Sequence, residues 1–364
     1  MEQQGGLKQP ALGIMGLIVV LFIAFGVMVW FKTETFLTWA STLAMCTIPF
    51  SVVVGLVWQG NYPPPAAKLE QPLKGLYLLL MTLIVGTFVG AWAFKTVGGF
   101  ASAPTPFSIM FIINSVIMTF FCVVVFQCWP ATAIKGDHPG FVGFFTVILA
   151  YALDWAVFRI FFNFEFAKGA PWYSPVLDPG GTHMAFVILS FLITALALML
   201  IWVFFDFWPL SLIPPKAPAF GKQPIWGITV TILLLIGASI IQSIFVRGLG
   251  MDVVVFMLRV PICMLFGIFI MLLLMQTWPV QGTKQPLRGI VLTVFAIILN
   301  MVMYELYAWF STLGWGALPA GPPGYILELW VANALLGFTF PVIAIYTGYF
   351  NFWPLTEPKP PQGQ

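Results

Sequence analysis

Apolar residues run along this chain in long blocks that hold almost no charge, and short polar segments mark the breaks between them. A helix needs about 20 mostly apolar residues to cross the hydrocarbon of a bilayer. Ten blocks meet that length, at roughly 10–31, 36–58, 73–94, 107–129, 140–162, 183–208, 225–246, 252–278, 287–310 and 325–353. The short alternating segments of an outer-membrane strand are absent. The pattern therefore predicts an all-α, polytopic membrane helix bundle. Residues 1–8 and 355–364 are polar ends rich in Pro and Gly.

The blocks repeat in pairs. Five segments open alike, with Lys8-Gln9-Pro10, Glu70-Gln71-Pro72, Asp137-His138-Pro139, Lys222-Gln223-Pro224 and Lys284-Gln285-Pro286. A glycine follows the proline by three in four of them, Gly13, Gly75, Gly227 and Gly289, and slips to Gly143 in the third. Four segments close on Trp129-Pro130, Trp208-Pro209, Trp278-Pro279 and Trp353-Pro354. Matching Val52-Val53-Val54 to Val123-Val124-Val125 sets Trp58 on the same column. Proline suits the first turn of a helix, where its missing N–H is not needed, and cannot continue one. Tryptophan prefers the membrane interface. The expected unit is a hairpin, and five parallel hairpins fall at approximately 8–62, 70–134, 137–215, 222–282 and 284–355 of one membrane domain spanning 1–364. Two helices per unit leave every unit facing the same way, so the units are expected to form an arc or ring about the membrane normal.

The segments joining the units, with both termini, carry nine basic residues, and the loops inside the units carry six. Positive-inside logic then places both termini in the cytoplasm. No basic segment precedes the first apolar run, so no cleavable signal peptide is expected. Composition agrees with a protein dissolved in lipid, since 60% of residues are apolar and 7% charged. The net charge of +3 is too small and scattered for nucleic-acid binding.

Polar groups are costly in hydrocarbon, so each one inside a block is a candidate. Two residues before the closing Trp stand Leu56, Gln127, Asp206, Gln276 and Asn351. Around a common axis the last four would form a polar ring, or alternatively would bond the freed carbonyls at the helix ends. A second group, Asp154, Arg159, Asn300 and Glu305, with Gln242 nearby, falls at one depth of the first helices of the later hairpins. Arg159 is expected to pair with Glu305 across helices, as a structural ion pair or as part of a substrate pathway. Pro49, Arg259-Val260-Pro261 and Pro341 predict kinks.

His138 and His183 fall at opposite faces, and Cys46, Cys122, Cys128 and Cys263 sit in apolar runs without a C-x-x-C. Neither a metal site nor any cofactor is expected. No phosphate-binding loop or nucleophile motif occurs. The leading functional reading is a transporter or permease for a small apolar or aromatic solute, or lipid, without nucleotide hydrolysis in this chain. The alternative is a structural subunit packing with copies of itself or with a partner membrane subunit. An embedded enzyme using Asp154, Arg159, Asp206 or His183 ranks third.

Overall fold

The computed structural model describes residues 6–357. Glu2 and Lys359, which enter the charge balance above, lie outside the described residues. Among the described residues ten helices are long and apolar enough to cross a membrane, which makes this a multi-pass membrane protein. They are α1 Ala11–Met28, α2 Thr33–Val57, α3 Leu73–Thr96, α4 Pro106–Val125, α5 Pro139–Phe161, α6 Ala185–Phe204, α7 Ile225–Gly248, α8 Val253–Leu274, α9 Leu287–Trp315 and α10 Ile326–Gly348. Pro10, Pro72, Pro224 and Pro286 stand immediately before α1, α3, α7 and α9, while α4 and α5 begin on a proline. The prolines expected to kink helices fall where backbone bonding is irregular. Pro261 lies in a widened turn over Leu258–Ile262, Pro341 follows one over Ala334–Thr339, and Pro49 follows a break at Cys46 and Thr47.

Even and odd helices differ in burial. In their most apolar stretches, 56–78% of the residues of the even helices are buried, against 17–39% in the odd helices. The contacts explain the difference. α2 packs on α4, α4 on α6, α6 on α8, α8 on α10, and α10 returns to α2, so the even helices close an inner ring. The odd helices lie outside it. α1 packs on α8 and α10, α3 on α2 and α10, α5 on α2 and α4, α7 on α4 and α6, and α9 on α6 and α8.

Lipid tails are as apolar as leucine, so close backbone approach and polar cross-links must hold such helices together. Both occur. Gly267 of α8 abuts the Ala296 backbone of α9. The Thr82 and Tyr349 hydroxyls bond at 2.7 Å between α3 and α10, and Tyr307 of α9 bonds Thr339 of α10. Gln242 of α7 donates to Ser190 Oγ at 2.6 Å and to Val187 O at 3.0 Å, both on α6.

The loop between α5 and α6 is ordered by Asp178, which accepts from the Phe164 and Gly180 amides and from the Tyr173 hydroxyl. A two-residue strand pair, Phe162–Asn163 with His183–Met184, closes its base. The helix expected to end near residue 310 runs to Trp315, so the following loop is shorter than its sequence suggested. At that face Asp252 caps α8 by accepting from the Val254 and Val255 amides, and Tyr325 donates to Asp252 Oδ2 at 2.8 Å. Burial, with Asp252 beside it, pushes the Tyr325 phenol up to about 12, so this link between α8 and α10 stays a donor bond through the neutral range.

Candidate functional site

The five even helices end in one recurring pattern. Gln59, Gln127, Asp206, Gln276 and Asn351 all take left-handed backbone, with φ of 50°, 51°, 49°, 51° and 48°. The next residue's amide reaches back into the helix, as in Cys128 N to Cys122 O at 2.8 Å, Thr277 N to Met271 O at 2.9 Å and Gly60 N to Val54 O at 2.9 Å. At α6 the bonds Phe207 N to Trp202 O and Asp206 N to Val203 O form a Schellman cap. This pattern corrects the sequence register of the first unit by three residues. Gln59, not Leu56, stands in the polar column, and Trp58 falls with Phe126, Phe205, Met275 and Phe350 rather than with the closing tryptophans. Short polar residues tolerate left-handed backbone best, which accounts for polarity at Asp206 and Asn351.

The glycine column meets those same residues. A Cβ on Gly13 would strike Met275, on Gly75 Phe350, on Gly143 Trp58, on Gly227 Phe126, and on Gly289 Phe205. Beside each contact the Gln of the Gln-Pro pair bridges two helices. Its Oε1 accepts from the glycine amide, and its Nε2 donates to the last free carbonyl of an even helix. Gln9 reaches Leu274 O at 2.8 Å, Gln71 reaches Tyr349 O at 2.6 Å, Gln223 reaches Val125 O at 2.9 Å, and Gln285 reaches Phe204 O at 2.9 Å. In the third unit His138 replaces the Gln, and the Trp58 indole instead donates to Pro139 O at 2.7 Å. These bonds satisfy the carbonyls that a helix end leaves open, and they put the starts of the odd helices and the ends of the even ones at one face.

We expect Gln285→Leu to lower stability by about 1–3 kcal/mol, because Phe204 O and Gly289 N lose their partner. The measurement is thermal unfolding in detergent. Gln281→Leu, which removes an exposed bond to Gln276 O, should leave the midpoint unchanged.

Inside the inner ring lies a cavity of about 1380 Å³. Its wall takes residues from all five even helices, among them Ser51, Val124, Val203, Leu272 and Thr347. It opens at the face of the Trp-Pro ends, past Gln276, Asn351, Lys8 and Glu357. It stops at three rings, Phe120, Phe269 and Phe340, whose centroids lie 4.4–6.1 Å apart. Beyond them lies a small void of about 20 Å³, lined by Ile113, Ile117, Ile193, Leu265 and Leu336. Ile113 and Phe120 are seven residues apart on one helix, so the narrow apolar throat that they line is about 10 Å long. A constriction of that kind excludes water and ions until it widens.

The sequence-predicted residues distribute unevenly around this cavity. Gln276 and Asn351 line its mouth, whereas Gln127 and Asp206 are exposed away from the wall. Asp206 accepts from Gln285 at 2.8 Å and from Arg288 at 3.1 Å, so it braces α6 against α9. The expected Arg159–Glu305 pair does not form. Both are exposed on odd helices in different grooves, and Arg159 stacks over Trp155 at 5.9 Å. Gln242 joins α7 to α6, as described, and Asn300 lies half-buried on α9 with Oδ1 unpartnered. Arg259 faces outward onto Tyr304, donating to its hydroxyl at 2.8 Å. Asp154 is fully buried between α5 and α4, where Asn114 Nδ2 donates to its Oδ1 at 2.7 Å. His138 and His183 are exposed, and the four cysteines are buried and unpaired.

The three phenylalanines, Asn114 and the bridging role of the glutamines were not singled out from the sequence. The signal that could have found Asn114 is an amide inside the apolar run Ile112-Ile113-Asn114-Ser115. No protein-family model, curated protein or solved structure matches this chain.

Proposed function

We propose that the chain is a permease-like pore that moves a small apolar or aromatic solute along the axis of five like-facing hairpins, without nucleotide hydrolysis in this chain. The observation that carries this reading is the axial cavity, walled by all five even helices and stopped by Phe120, Phe269 and Phe340. The hairpin repeat is supported by the five Gly contacts, which follow one rule: each odd helix meets the end of the even helix two hairpins back around the ring. Positive-inside charge gives the open end a cytoplasmic orientation. In this reading Gln276 and Asn351 meet the solute at the mouth, apolar side chains guide it, and the phenylalanines form the gate.

A purely structural subunit would bury its membrane charges in dry ion pairs and present large apolar faces to other subunits. The two ion pairs found among the described residues, Lys168–Glu165 and Arg288–Asp206, are solvent-accessible instead. An enzyme would need paired ionisable groups in a closed pocket. Those of the cavity wall are Lys8 and Glu357, at its open mouth.

The test is side-specific labelling in proteoliposomes. Leu56→Cys and Thr347→Cys should react with an impermeant maleimide from one side only, and Ile193→Cys, in the throat, from neither. Equal labelling of Thr347→Cys from both sides, or of Ile193→Cys as fast as the wall positions, would remove the gated-pore reading.

A further inference from the structure

Asp154 is fully buried inside a span, seven residues or about 10 Å of helix from the end of α5. Glu328, the other buried acid among the described residues, uses both oxygens to accept from the Gly321 amide. Asp154 uses only one. Its Oδ2 is buried without a partner, and so is Oδ1 of Asn114, the amide that already donates to Asp154 Oδ1.

Two matched planar groups with one bond made and two orphaned acceptors define a specific deficit: one hydrogen is missing. No cation makes it good. Among the described residues Asn114 is the one group that bonds Asp154 directly. The titratable group nearby is Tyr151, with its hydroxyl buried and unbonded, and its own neighbours Cys46 on α2, Ser115 on α4 and Trp92 on α3 carry no charge. Arg159 on the same helix points outward over Trp155. A carboxylate there would be an uncompensated charge in a dry interface, the costliest state for such a group.

We propose that Asp154 is the proton-binding site of the membrane domain: its Oδ2 carries a proton donated to Asn114 Oδ1, closing a two-bond acid–amide pair between α5 and α4. Both orphaned atoms are then satisfied. When the proton leaves for water, Oδ2 becomes a charged acceptor facing a second acceptor. The second bond is lost, and water must enter between α4 and α5 to solvate the charge. α4 is also the helix that carries Ile113, Val116, Ile117 and Phe120 into the throat, with Asn114 next to Ile113. A shift of α4 therefore moves one wall of the gate, so proton release and gate opening share one element. This second half rests on the pore reading above; the proton site itself does not.

Infrared spectroscopy of the full chain in nanodiscs separates the two. At neutral pH the protein should show the carbonyl stretch of a protonated carboxylic acid, above the carboxylate band, and the stretch should move down in D2O. Asp154→Asn should abolish it with an unchanged melting temperature, because an amide–amide pair keeps both bonds. Asn114→Ala should move the band to higher frequency, as expected for a carboxylic acid with no partner, and gives a readout if Asp154→Asn fails to fold. A spectrum identical in wild type and Asp154→Asn would overturn the assignment. So would loss of the band on adding sodium at constant pH, which would make the site one for a metal cation. If the band is present but efflux of radiolabelled phenylalanine from proteoliposomes is the same in Asp154→Asn and wild type at all pH values, the proton site stands and its coupling to the gate fails.

Discussion

If the chain is the pore proposed above, replacing Phe269 and Phe340 together by alanine is expected to make it leak. Their rings pack at 4.4 Å, each lies about 6 Å from Phe120, and the three close the axis at the end of the wide cavity. Without two of them the wall there is methyl-sized, and water can bridge the cavity to the small void beyond. Efflux of radiolabelled phenylalanine from loaded proteoliposomes should rise at least about tenfold, which needs the barrier lowered by only about 1.4 kcal/mol. The stability cost of each change should be below the ~3–5 kcal/mol of a sealed core, because the rings border a cavity. Phe338→Ala is the control. Phe338 packs on Phe36 at 5.3 Å and lines neither the cavity nor the void. Equal efflux from the control and the double variant would show that the axis is not the route.

The largest stability effect is expected at Gly267. A Cβ there would overlap the Ala296 carbonyl of α9, a backbone atom that cannot swing aside as a side chain can. Overpacking usually costs about 1–3 kcal/mol, and a backbone neighbour puts Gly267→Ala at the top of that range or above. The helices must separate, and separation also costs the contacts that hold α8 to α9. Gly26 in α1 has open space around its Cβ position, so Gly26→Ala should instead stabilise by up to about 1 kcal/mol through helix propensity alone. The comparison is made by thermal unfolding in one detergent. A Gly267→Ala midpoint equal to that of Gly26→Ala would mean that α8 and α9 pack less closely than described.

The spans were readable because membrane solvation acts on each segment separately. Sequence blocks and helices agree to within a few residues at most ends, as in 140–162 against Pro139–Phe161. They diverge past the last helical turn of the even helices, as between Leu274 and Trp278, where the left-handed residues Gln276 and Thr277 end the helix before the closing Trp is reached. The first unit's register went astray because three valines matched by identity, whereas the left-handed cap that aligns the ends shows only in the backbone. Arg159 and Glu305 share a depth, and depth is all that a repeat alignment supplies. Pairing also needs a shared groove, which depends on the order of helices around the ring. The glutamines repeated visibly, but each carbonyl they serve belongs to another hairpin, so their purpose was invisible in any local window.

The contacts that join the start of each odd helix to the end of a distant even helix have a consequence for biogenesis. α5, α7 and α9 meet partners synthesised before them, at the ends of α2, α4 and α6. α1 and α3 must wait for α8 and α10. A ribosome can therefore deliver eight helices while Gln71 and Gly75 still have nothing to grip, and the circle locks only when α10 slides in beside the earliest helices. A nascent chain held short of α10 should be an open horseshoe, dependent on insertion chaperones or lipid to shield its unfinished seam.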